Sequence, residues 1–437
     1  MAHQSDTESE AADQPGTDPA PEASSTEYDY SNFYYSSSDD LFTIFGPYDD
    51  WWYDARKTGY YLFSQPMSTP PGARINLEEQ LHHESLKLLN LASYNYLGLS
   101  THPEVIAAAH AALDRYGLGA AGSPILSGTM DVHLELEREL AAFKKKEAVM
   151  VFPTGYSTNV GLLSGLLRPG DWVILDQNVH ASIVDGAILA KAQVKFFRHN
   201  QPADLEKKLK GTTGKRLVVV EGVYSMDGDI ARLPEMVEIS KRAGARILID
   251  EAHSCFVYGA NGRGVVEHFG LEDEVDIHVG TFSKALGGQG GYVAGSQSLY
   301  NYLMGFARSR FFSCALAPAV AAGVLAGLRV VQKDPSLRAR LWDNVAHFRG
   351  LMSAAGVDVA ESTSQIIPIM IRNDRKILGI AKKLQNAGLY LQPILYPAVA
   401  KHRSRFRVSI SASHSKADLD QAAAILVKVL REEEIIK

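Results

Sequence analysis

The chain has 437 residues, of which 46% are apolar and 22% charged, and its formal net charge at pH 7 is -6. This length allows two packed domains, and the composition is typical of an ordinary globular protein. A net negative charge without a basic stripe argues against nucleic acid as a partner. Cys255 and Cys314 allow neither a disulfide framework nor a CxxC metal site, so we predict no metal and a cytoplasmic location.

The N-terminal part of the chain divides into two segments of different composition. Residues 1–27 are acidic and rich in Ser, Pro and Ala, and we predict that they form a disordered tail, because they cannot bury enough apolar surface to offset the entropy of ordering. Residues 28–88 form an arm that is crowded with Tyr, Trp and Phe up to residue 66. These aromatic residues either pack on the main body or provide a docking surface for a partner.

Residues 89–330 alternate between short apolar runs and amphipathic stretches, which is the pattern of βαβ units. Two amphipathic stretches, Asp204–Leu209 and Leu233–Ala243, predict helices. The apolar runs predict strands at Ala148–Phe152, Trp172–Leu175, Val194–Phe197, Leu217–Val220, Arg246–Ile249 and Ile277–Val279. We therefore predict a large α/β domain with a mostly parallel sheet, whose ligand lies beyond the carboxyl ends of the strands.

Residues 331–437 follow a different pattern, which predicts a smaller α+β domain. The predicted helices are Pro335–Met352, Lys376–Gly388 and Lys416–Glu434, and the predicted strands are Ile366–Ile371 and Phe406–Ile410. The most apolar stretch, Cys314–Leu328, is too short and too rich in Ala and Gly to span a bilayer, so we predict a buried helix and no transmembrane segment. Peripheral membrane contact stays an alternative.

Two polar segments follow neighbouring predicted strands. The first ends its strand at Asp250 and continues to His253, although an Asp in this position often only caps the next helix. The second places Lys284 among Thr281, Ser283 and several glycines, where the backbone can approach a planar ligand closely. A desolvated lysine can form a Schiff base, and pyridoxal phosphate also needs a buried carboxylate beside its ring nitrogen. Lys284 and Asp250 together therefore indicate pyridoxal phosphate.

Three further polar segments follow predicted strands. Gly155 and Tyr156 begin a predicted helix, and backbone amides at a helix N-terminus bind phosphate well. His180 follows the next strand, where a lone His is more often structural. The third segment, Glu221-Gly-Val-Tyr-Ser225-Met-Asp-Gly-Asp, by itself indicates only an acidic turn. One shared site is the simplest explanation for polar segments after so many successive strands.

In this order the motifs resemble the α-oxoamine synthase family of fold-type I pyridoxal-phosphate enzymes, which includes serine palmitoyltransferase, glycine C-acetyltransferase, aminooxononanoate synthase and aminolaevulinate synthase. The similarity runs from about Leu89 to the C-terminus. It is carried by His180-Ala-Ser, by the segment from Glu221 to Asp229, by Asp250-Glu-Ala-His253-Ser and by Gly280-Thr-Phe-Ser-Lys284-Ala-Leu-Gly-Gly. The resemblance implies a fold-type I transferase with a large, mostly parallel domain and a smaller α+β domain.

The resemblance also implies a role for each matching residue. Lys284, Asp250 and His180 would be catalytic, as the Schiff-base lysine, the partner of the ring nitrogen and the residue that stacks on the cofactor ring. Cofactor contacts would also come from Gly155, Tyr156, Ser225, His253, Thr281 and, across a homodimer interface, Ser313. The amino-acid substrate would contact Arg407, which would grip its carboxylate, and Asn95.

The implied activity is a decarboxylative condensation of an amino acid (serine, glycine or alanine) with an acyl thioester on coenzyme A or an acyl carrier protein. A short-chain acyl-CoA:glycine C-acyltransferase is an alternative, as is a catalytically silent regulatory subunit, against which Lys284 argues. Pro124 stands where many relatives have an Arg, which puts contact with the acyl thioester in question. This departure and the aromatic arm favour a carrier protein as the acyl donor. Similarly, Cys314 and Leu395 stand where relatives often have Thr and Arg.

Overall fold

The computed structural model describes Phe33, residues 36–78 and residues 85–437. The predicted disorder of residues 1–27 lies outside these described residues. The strands are β1 (Arg74–Glu78), β2 (Ser85–Asn90), β3 (Ala148–Phe152), β4 (Trp172–Asp176), β5 (Gln193–Phe197), β6 (Arg216–Glu221), β7 (Arg246–Asp250), β8 (Ile277–Thr281), β9 (Gly291–Gly295), β10 (Ile366–Met370), β11 (Leu389–Tyr390), β12 (Gln392–Ile394) and β13 (Arg405–Ser409). The helices are α1 (Phe45–Lys57), α2 (Pro103–Tyr116), α3 (Asp131–Lys144), α4 (Gly155–Leu166), α5 (Ala181–Leu189), α6 (Pro202–Lys210), α7 (Leu233–Arg242), α8 (Val265–His268), α9 (Gln297–Phe306), α10 (Arg308–Phe311), α11 (Pro318–Lys333), α12 (Ser336–Ala354), α13 (Ile377–Asn386) and α14 (Lys416–Glu432).

The large sheet has the strand order β3-β9-β8-β7-β6-β4-β5. All neighbouring strands in it are parallel except β9, which runs antiparallel to both β3 and β8. The predicted α/β class with a mostly parallel sheet is therefore confirmed. Strand β9 was not predicted, because its short sequence Gly-Tyr-Val-Ala-Gly carries little local strand signal and its place is determined by pairing on both sides.

Both faces of the large sheet are buried, which explains why its strands are continuous apolar runs. In β7, Ile247 and Ile249 pack in one core cluster while Leu248 packs in a second cluster on the opposite face. The run ends at a carboxylate, and Asp250 lies in register with Glu221 at the end of β6. Because the parallel strands end at the same edge, their terminal polar residues come together there.

Two small sheets lie outside this large sheet. Strands β10, β13 and β12 form an antiparallel sheet from the C-terminal part of the chain. In the second, β2 pairs antiparallel with β1 and parallel with β11, so that residues before position 91 join a strand that starts at Leu389. Strand β1 of the N-terminal arm is thus joined to the C-terminal part of the chain through β2, which crosses the predicted boundary after residue 88 and pairs with β11 at Leu89 and Asn90. The domain boundaries themselves stay a prediction.

The aromatic part of the arm is partly buried and partly exposed. Trp51 and Ala55 of α1 are buried, and Leu62 belongs to the main core. By contrast, Phe42 and Tyr53 are 63% and 66% exposed. The buried residues fit an arm that packs on the main body, and the exposed ones fit a docking surface for a partner. No helix within the described residues is long and apolar enough to cross a membrane.

Candidate active site

A cavity of about 240 Å³ lies at the carboxyl edge of the large sheet. The predicted residues that line it are Gly155, Tyr156, His180, Asp250, His253, Thr281 and Lys284. Its other lining residues are Asn159, Ser182, Glu221, Ala252, Val279, Gly280 and Ser283. The polar segments that the sequence places after successive strands thus meet at one site.

Asp250 is held by two donors at the floor of this cavity. The backbone amide of Ala252 donates to Oδ1 at 2.9 Å, and the side-chain amide of Asn159 donates to Oδ2 at 2.9 Å. Asn159 Nδ2 also donates to Ser182 Oγ at 3.0 Å, so its orientation is fixed from two sides. These contacts suit an ionised carboxylate that must keep one orientation toward a cationic ring nitrogen.

Glu221 is a second buried carboxyl group beside Asp250. Burial raises its pKa well above the ordinary value, and the neighbouring Asp250 carboxylate raises it further. Its Oε1 accepts the backbone N–H of His180 at 2.6 Å. Burial and the neighbouring Asp250 carboxylate therefore both favour the protonated form of Glu221.

The Lys284 amine lies in the same cavity. Burial lowers its pKa below the ordinary value, although Asp250 and Glu221 act in the opposite direction. A lowered pKa increases the fraction of neutral amine, which is the form that attacks a carbonyl. This environment is the one that a Schiff-base lysine requires.

Two histidines lie on the cavity wall in different environments. His253 is buried, and burial lowers its pKa well below the ordinary value, with Lys284 and His180 lowering it further. Its Nδ1 lies 2.8 Å from the hydroxyl of Tyr96, whose own pKa is raised by burial. His180 precedes α5, and its Nδ1 contacts Ser182 Oγ at 2.7 Å. Both rings are therefore held by hydroxyl groups.

The N-terminus of α4 lies on the wall of the cavity, at Gly155 and Tyr156. The amide of Ser157 is occupied by the side chain of Thr154, which caps the helix. This leaves the amides of Gly155 and Tyr156 as the first-turn donors that a helix N-terminus can offer to an anion. The Thr281 hydroxyl lies 2.9 Å from that of Ser283, on the part of the wall next to Gly155. A Cβ added to Gly155 would approach Thr281 Oγ1 to 3.1 Å, so a side chain there would crowd this wall.

Arg407 lies beside this cavity rather than on its wall. Its guanidinium stacks on the ring of Tyr94 at 4.4 Å, and the same tyrosine ring meets His253 edge-on at 6.1 Å. Nη1 donates to the Ser225 carbonyl at a long 3.4 Å, and buried Nε has no hydrogen-bond partner among the described residues. The guanidinium therefore keeps donor capacity for a bound carboxylate.

Asn95 lies in a neighbouring cavity of about 270 Å³, which shares Ser283 with the first. Its amide nitrogen donates to Ser100 Oγ at 2.7 Å and to the Pro71 carbonyl at 3.3 Å. In this structure the side chain of Asn95 thus holds the chain together locally. Ser225 and Ser313 do not line the first cavity within the described part of the chain, and their cofactor contacts stay predictions.

Three residues of the site were not assigned a role from the sequence. Asn159 and Ser182 lie in or next to motifs that were recognised, and Glu221 ends a recognised strand. Helical spacing carries a usable signal for Asn159, because position 159 lies one turn after Gly155 and so shares its face of α4. No comparable sequence signal distinguishes Glu221 from an ordinary acidic strand end.

The chain is similar to known proteins over most of its length. Residues 87–426 match the family described as aminotransferase class I and II. The 8-amino-7-oxononanoate synthase of Alkaliphilus metalliredigens is 40% identical over 362 residues, which cover 82% of this chain and 92% of that protein. The serine palmitoyltransferase of Sphingobacterium spiritivorum is 37% identical, over 87% of this chain and 95% of that protein. The solved serine palmitoyltransferase of Sphingomonas wittichii superposes with a TM-score of 0.86 at 35% identity, covering 91% of this chain and all of that one.

The chain belongs to the aminotransferase class I and II family and has the fold of its fold-type I pyridoxal-phosphate enzymes. Within this family it is an α-oxoamine synthase, so the resemblance seen in the sequence is confirmed. It is a pyridoxal-phosphate-dependent enzyme that condenses an amino acid with an acyl thioester. The comparisons do not favour a catalytically silent subunit.

The residues of the cavity fit pyridoxal phosphate. The amine of Lys284 suits the aldehyde, the carboxylate of Asp250 suits the ring nitrogen, and the first-turn amides of α4 suit the phosphate. Asn159 Oδ1 is buried and has no hydrogen-bond partner among the described residues. It is therefore an acceptor on the cavity wall that a bound ligand could use.

Proposed function

We propose that this enzyme condenses a small amino acid (serine, glycine or alanine) with an acyl thioester, as in serine palmitoyltransferase, and that the acyl group arrives on a carrier protein. The observation that carries the amino-acid half is the position of Arg407, whose buried guanidinium lies next to a cavity that contains both Lys284 and Asp250. An amino acid bound between them would have its carboxylate at the arginine and its α-carbon near the lysine.

Lys284 and Asp250 divide the proton chemistry between them. Bound pyridoxal phosphate supplies an electron sink for negative charge at the α-carbon of the amino acid. The neutral Lys284 amine removes the α-proton, and its lowered pKa increases the fraction of this neutral form. Asp250 keeps a proton on the ring nitrogen, because its carboxylate is fixed by Ala252 and Asn159.

Arg407 and His253 orient the reacting groups. Burial lowers the pKa of Arg407 to about 10, which still leaves the guanidinium cationic at neutral pH. It can therefore bind the substrate carboxylate by charge-assisted hydrogen bonds. His253 stays neutral, and when Tyr96 donates to its Nδ1 the ring carries its proton on Nε2, where it can donate to the phenolic oxygen of the cofactor.

The choice of a carrier protein rests on two features of the chain. Pro124 stands where the family resemblance leads us to expect an Arg, and the chain therefore has no guanidinium there that would suit the phosphates of coenzyme A. In addition, the arm exposes Phe42, Phe45 and Tyr53, which offer apolar surface to a protein partner. A short-chain acyl-CoA:glycine C-acyltransferase is the second candidate, favoured by Leu395, Tyr396 and Pro397 where bacterial serine palmitoyltransferases often have Arg-Pro-Pro.

We also propose a homodimer, with Ser313 of each subunit serving the other subunit's cofactor. Leu118, Leu126 and Phe312 are strongly exposed, and the hydrogen bond from Ala315 to the Gly122 carbonyl brings their two loops together near the edge of the site. Sedimentation of the holoenzyme at twice the mass of one chain would support this, and a monomer at micromolar concentration would contradict it. A cytoplasmic location is proposed from the free cysteines Cys255 and Cys314.

The decisive experiment is a panel of amino acids added to the holoenzyme, followed by the absorbance of the bound cofactor. We expect serine, glycine or alanine to shift the spectrum at micromolar to millimolar concentration, and bulky amino acids to leave it unchanged. Turnover is then compared with the same acyl group on coenzyme A and on acyl carrier protein. No spectral shift with any amino acid would contradict the proposed activity, whereas equal or faster turnover with coenzyme A would contradict only the carrier protein.

A further inference from the structure

Asp227 joins three segments that surround the proposed amino-acid site. It lies in the loop after β6, and its Oδ1 accepts Arg405 Nη1 at 2.6 Å. Its other oxygen, Oδ2, accepts the side-chain amide of Asn178 at 3.3 Å. Asn178 lies two residues before His180, so one carboxylate contacts both the strand of the substrate arginine and the loop of the ring-facing histidine.

Arg405 ties β13 to this loop from inside the protein. Its side chain is only 1% exposed, and Nη1 also donates to the Met226 carbonyl at 3.0 Å. Arg407 lies two positions further along the same strand, so both side chains project from one face of β13. Any shift of β13 relative to the loop would therefore move Arg407 as well.

A second contact shows how closely the loop fits this part of the molecule. Gly228 has a positive φ of 69°, and its carbonyl accepts the amides of Thr363 and Ser364, both at 3.1 Å. A Cβ at this position would come within 2.1 Å of the Ile366 carbonyl oxygen. Next to Asp227, the loop is thus in direct backbone contact with the segment that leads into β10 of the sheet that carries Arg407, which leaves little room for adjustment.

We propose that Asp227 is a positioning residue for amino-acid binding, which holds Arg407 and the His180 loop at a fixed separation through Arg405 and Asn178. The proposal rests on the proposed function, because it takes Arg407 as the receptor of the substrate carboxylate. Asp227 itself touches neither substrate nor cofactor. Its effect arises because a guanidinium displaced by a fraction of an ångström loses part of a bidentate contact.

Asp227→Asn is the variant that separates this role from ordinary stability. The amide keeps the size of the side chain and an oxygen for one partner, but it removes the charge that pairs with buried Arg405. We expect the dissociation constant of the amino acid, measured by the absorbance shift of the holoenzyme, to rise roughly tenfold or more. The dissociation constant of pyridoxal phosphate, measured by titration of the apoenzyme, should change less than about threefold, since Asp227 does not line the cofactor cavity.

Arg403→Gln is the matched control. Arg403 contacts the same Oδ1 at 3.2 Å, but its side chain is 56% exposed, so its loss should change amino-acid binding less than about twofold. Unchanged amino-acid binding in Asp227→Asn, or an equal loss of cofactor and amino-acid affinity, would overturn the proposal. If Asp227→Asn does not fold, Arg405→Lys is titrated with the amino acid in the same way. An unchanged dissociation constant of the amino acid in Arg405→Lys would overturn the proposal. Wild-type holoenzyme that binds no amino acid would overturn the proposed function and this inference together.

Discussion

Two regions of this protein are unusual in composition, and they differ in how their side chains are held. At the carboxyl edge of the large sheet, Asp250, Glu221 and Asn159 are buried, and each has a hydrogen-bond partner within the site. In the arm, Phe42 and Tyr53 are largely exposed, and their rings contact the aromatic neighbours Phe45 and Trp52 in the arm itself. The side chains of the first region are fixed in one arrangement by their hydrogen bonds, whereas those of the second leave apolar surface exposed to solvent.

The difference shows where this fold places its chemistry. A reacting group needs a shifted pKa and a fixed direction, and burial among polar partners provides both. Exposed aromatic residues remain hydrated and have neither property, so they contribute to binding only when a partner covers them. Changes at the sheet edge should therefore have large effects on chemistry, and changes in the exposed arm should have small effects on the isolated protein.

The largest effect is expected for Lys284→Ala. Without the amine, the cofactor has no covalent attachment and the α-proton has no base, so product formation should fall by at least about a thousandfold. The absorbance band of the covalently held cofactor should disappear at the same time. Lys207→Ala, at an exposed lysine of α6, is the control and should keep both. Retention of the band in Lys284→Ala would show that another lysine holds the cofactor.

A middle-sized effect is expected for His199→Gln, which changes the support of the sheet edge without touching the cavity. His199 donates to Asp176 at 2.9 Å and to Asp229 at 3.1 Å. Burial alone would lower its pKa, but these two carboxylates raise it to about 10. Because the pKa is raised in the folded state, protonated His199 stabilises the protein fully below its unfolded pKa of about 6.5, and this contribution is lost as the pH rises toward 10.

Denaturant unfolding at several pH values measures this contribution. Near neutral pH, His199→Gln should lower the free energy of unfolding by roughly 2 kcal/mol, and the difference from wild type should shrink toward pH 10. His347→Gln is the control, because His347 pairs with Asp420 at the surface and should contribute less than about 0.5 kcal/mol. A difference that is independent of pH would mean that the charge of His199 does not contribute.

The smallest effect is expected within the arm. Phe42→Ser should change the free energy of unfolding by less than about 0.5 kcal/mol, because most of the ring is already in water. Trp51→Ala in the same segment should cost roughly 3 kcal/mol, since Trp51 is only 7% exposed. Thermal unfolding of both variants measures the two destabilisations. Equal destabilisation by the two changes would show that the arm is held more uniformly than its exposure indicates.

The large domain could be predicted because its information is local. Strands β3, β4, β6 and β7 are short, mostly apolar runs, and polar residues stand at or just after their ends in the sequence. The predicted helices of the C-terminal part, such as Lys416–Glu434 against the observed α14 (Lys416–Glu432), also agree within a few residues, because their apolar positions repeat at helical spacing. Strands β1, β2 and β9 were missed because their place depends on their pairing partners, and β11 and β12 because they are also only two and three residues long.

The sequence by itself determined the chemistry at the sheet edge, because the residues next to Lys284 and Asp250 in the chain already indicate a pyridoxal-phosphate site. Tertiary structure alone decided that the carboxyl groups at the ends of β6 and β7 lie side by side and that burial raises the pKa of Glu221, because a pKa depends on burial and on neighbours that are distant in sequence. It also decided that Asp227 connects Arg405 with Asn178, because three loops meet there through folding and no spacing along the chain records such a contact.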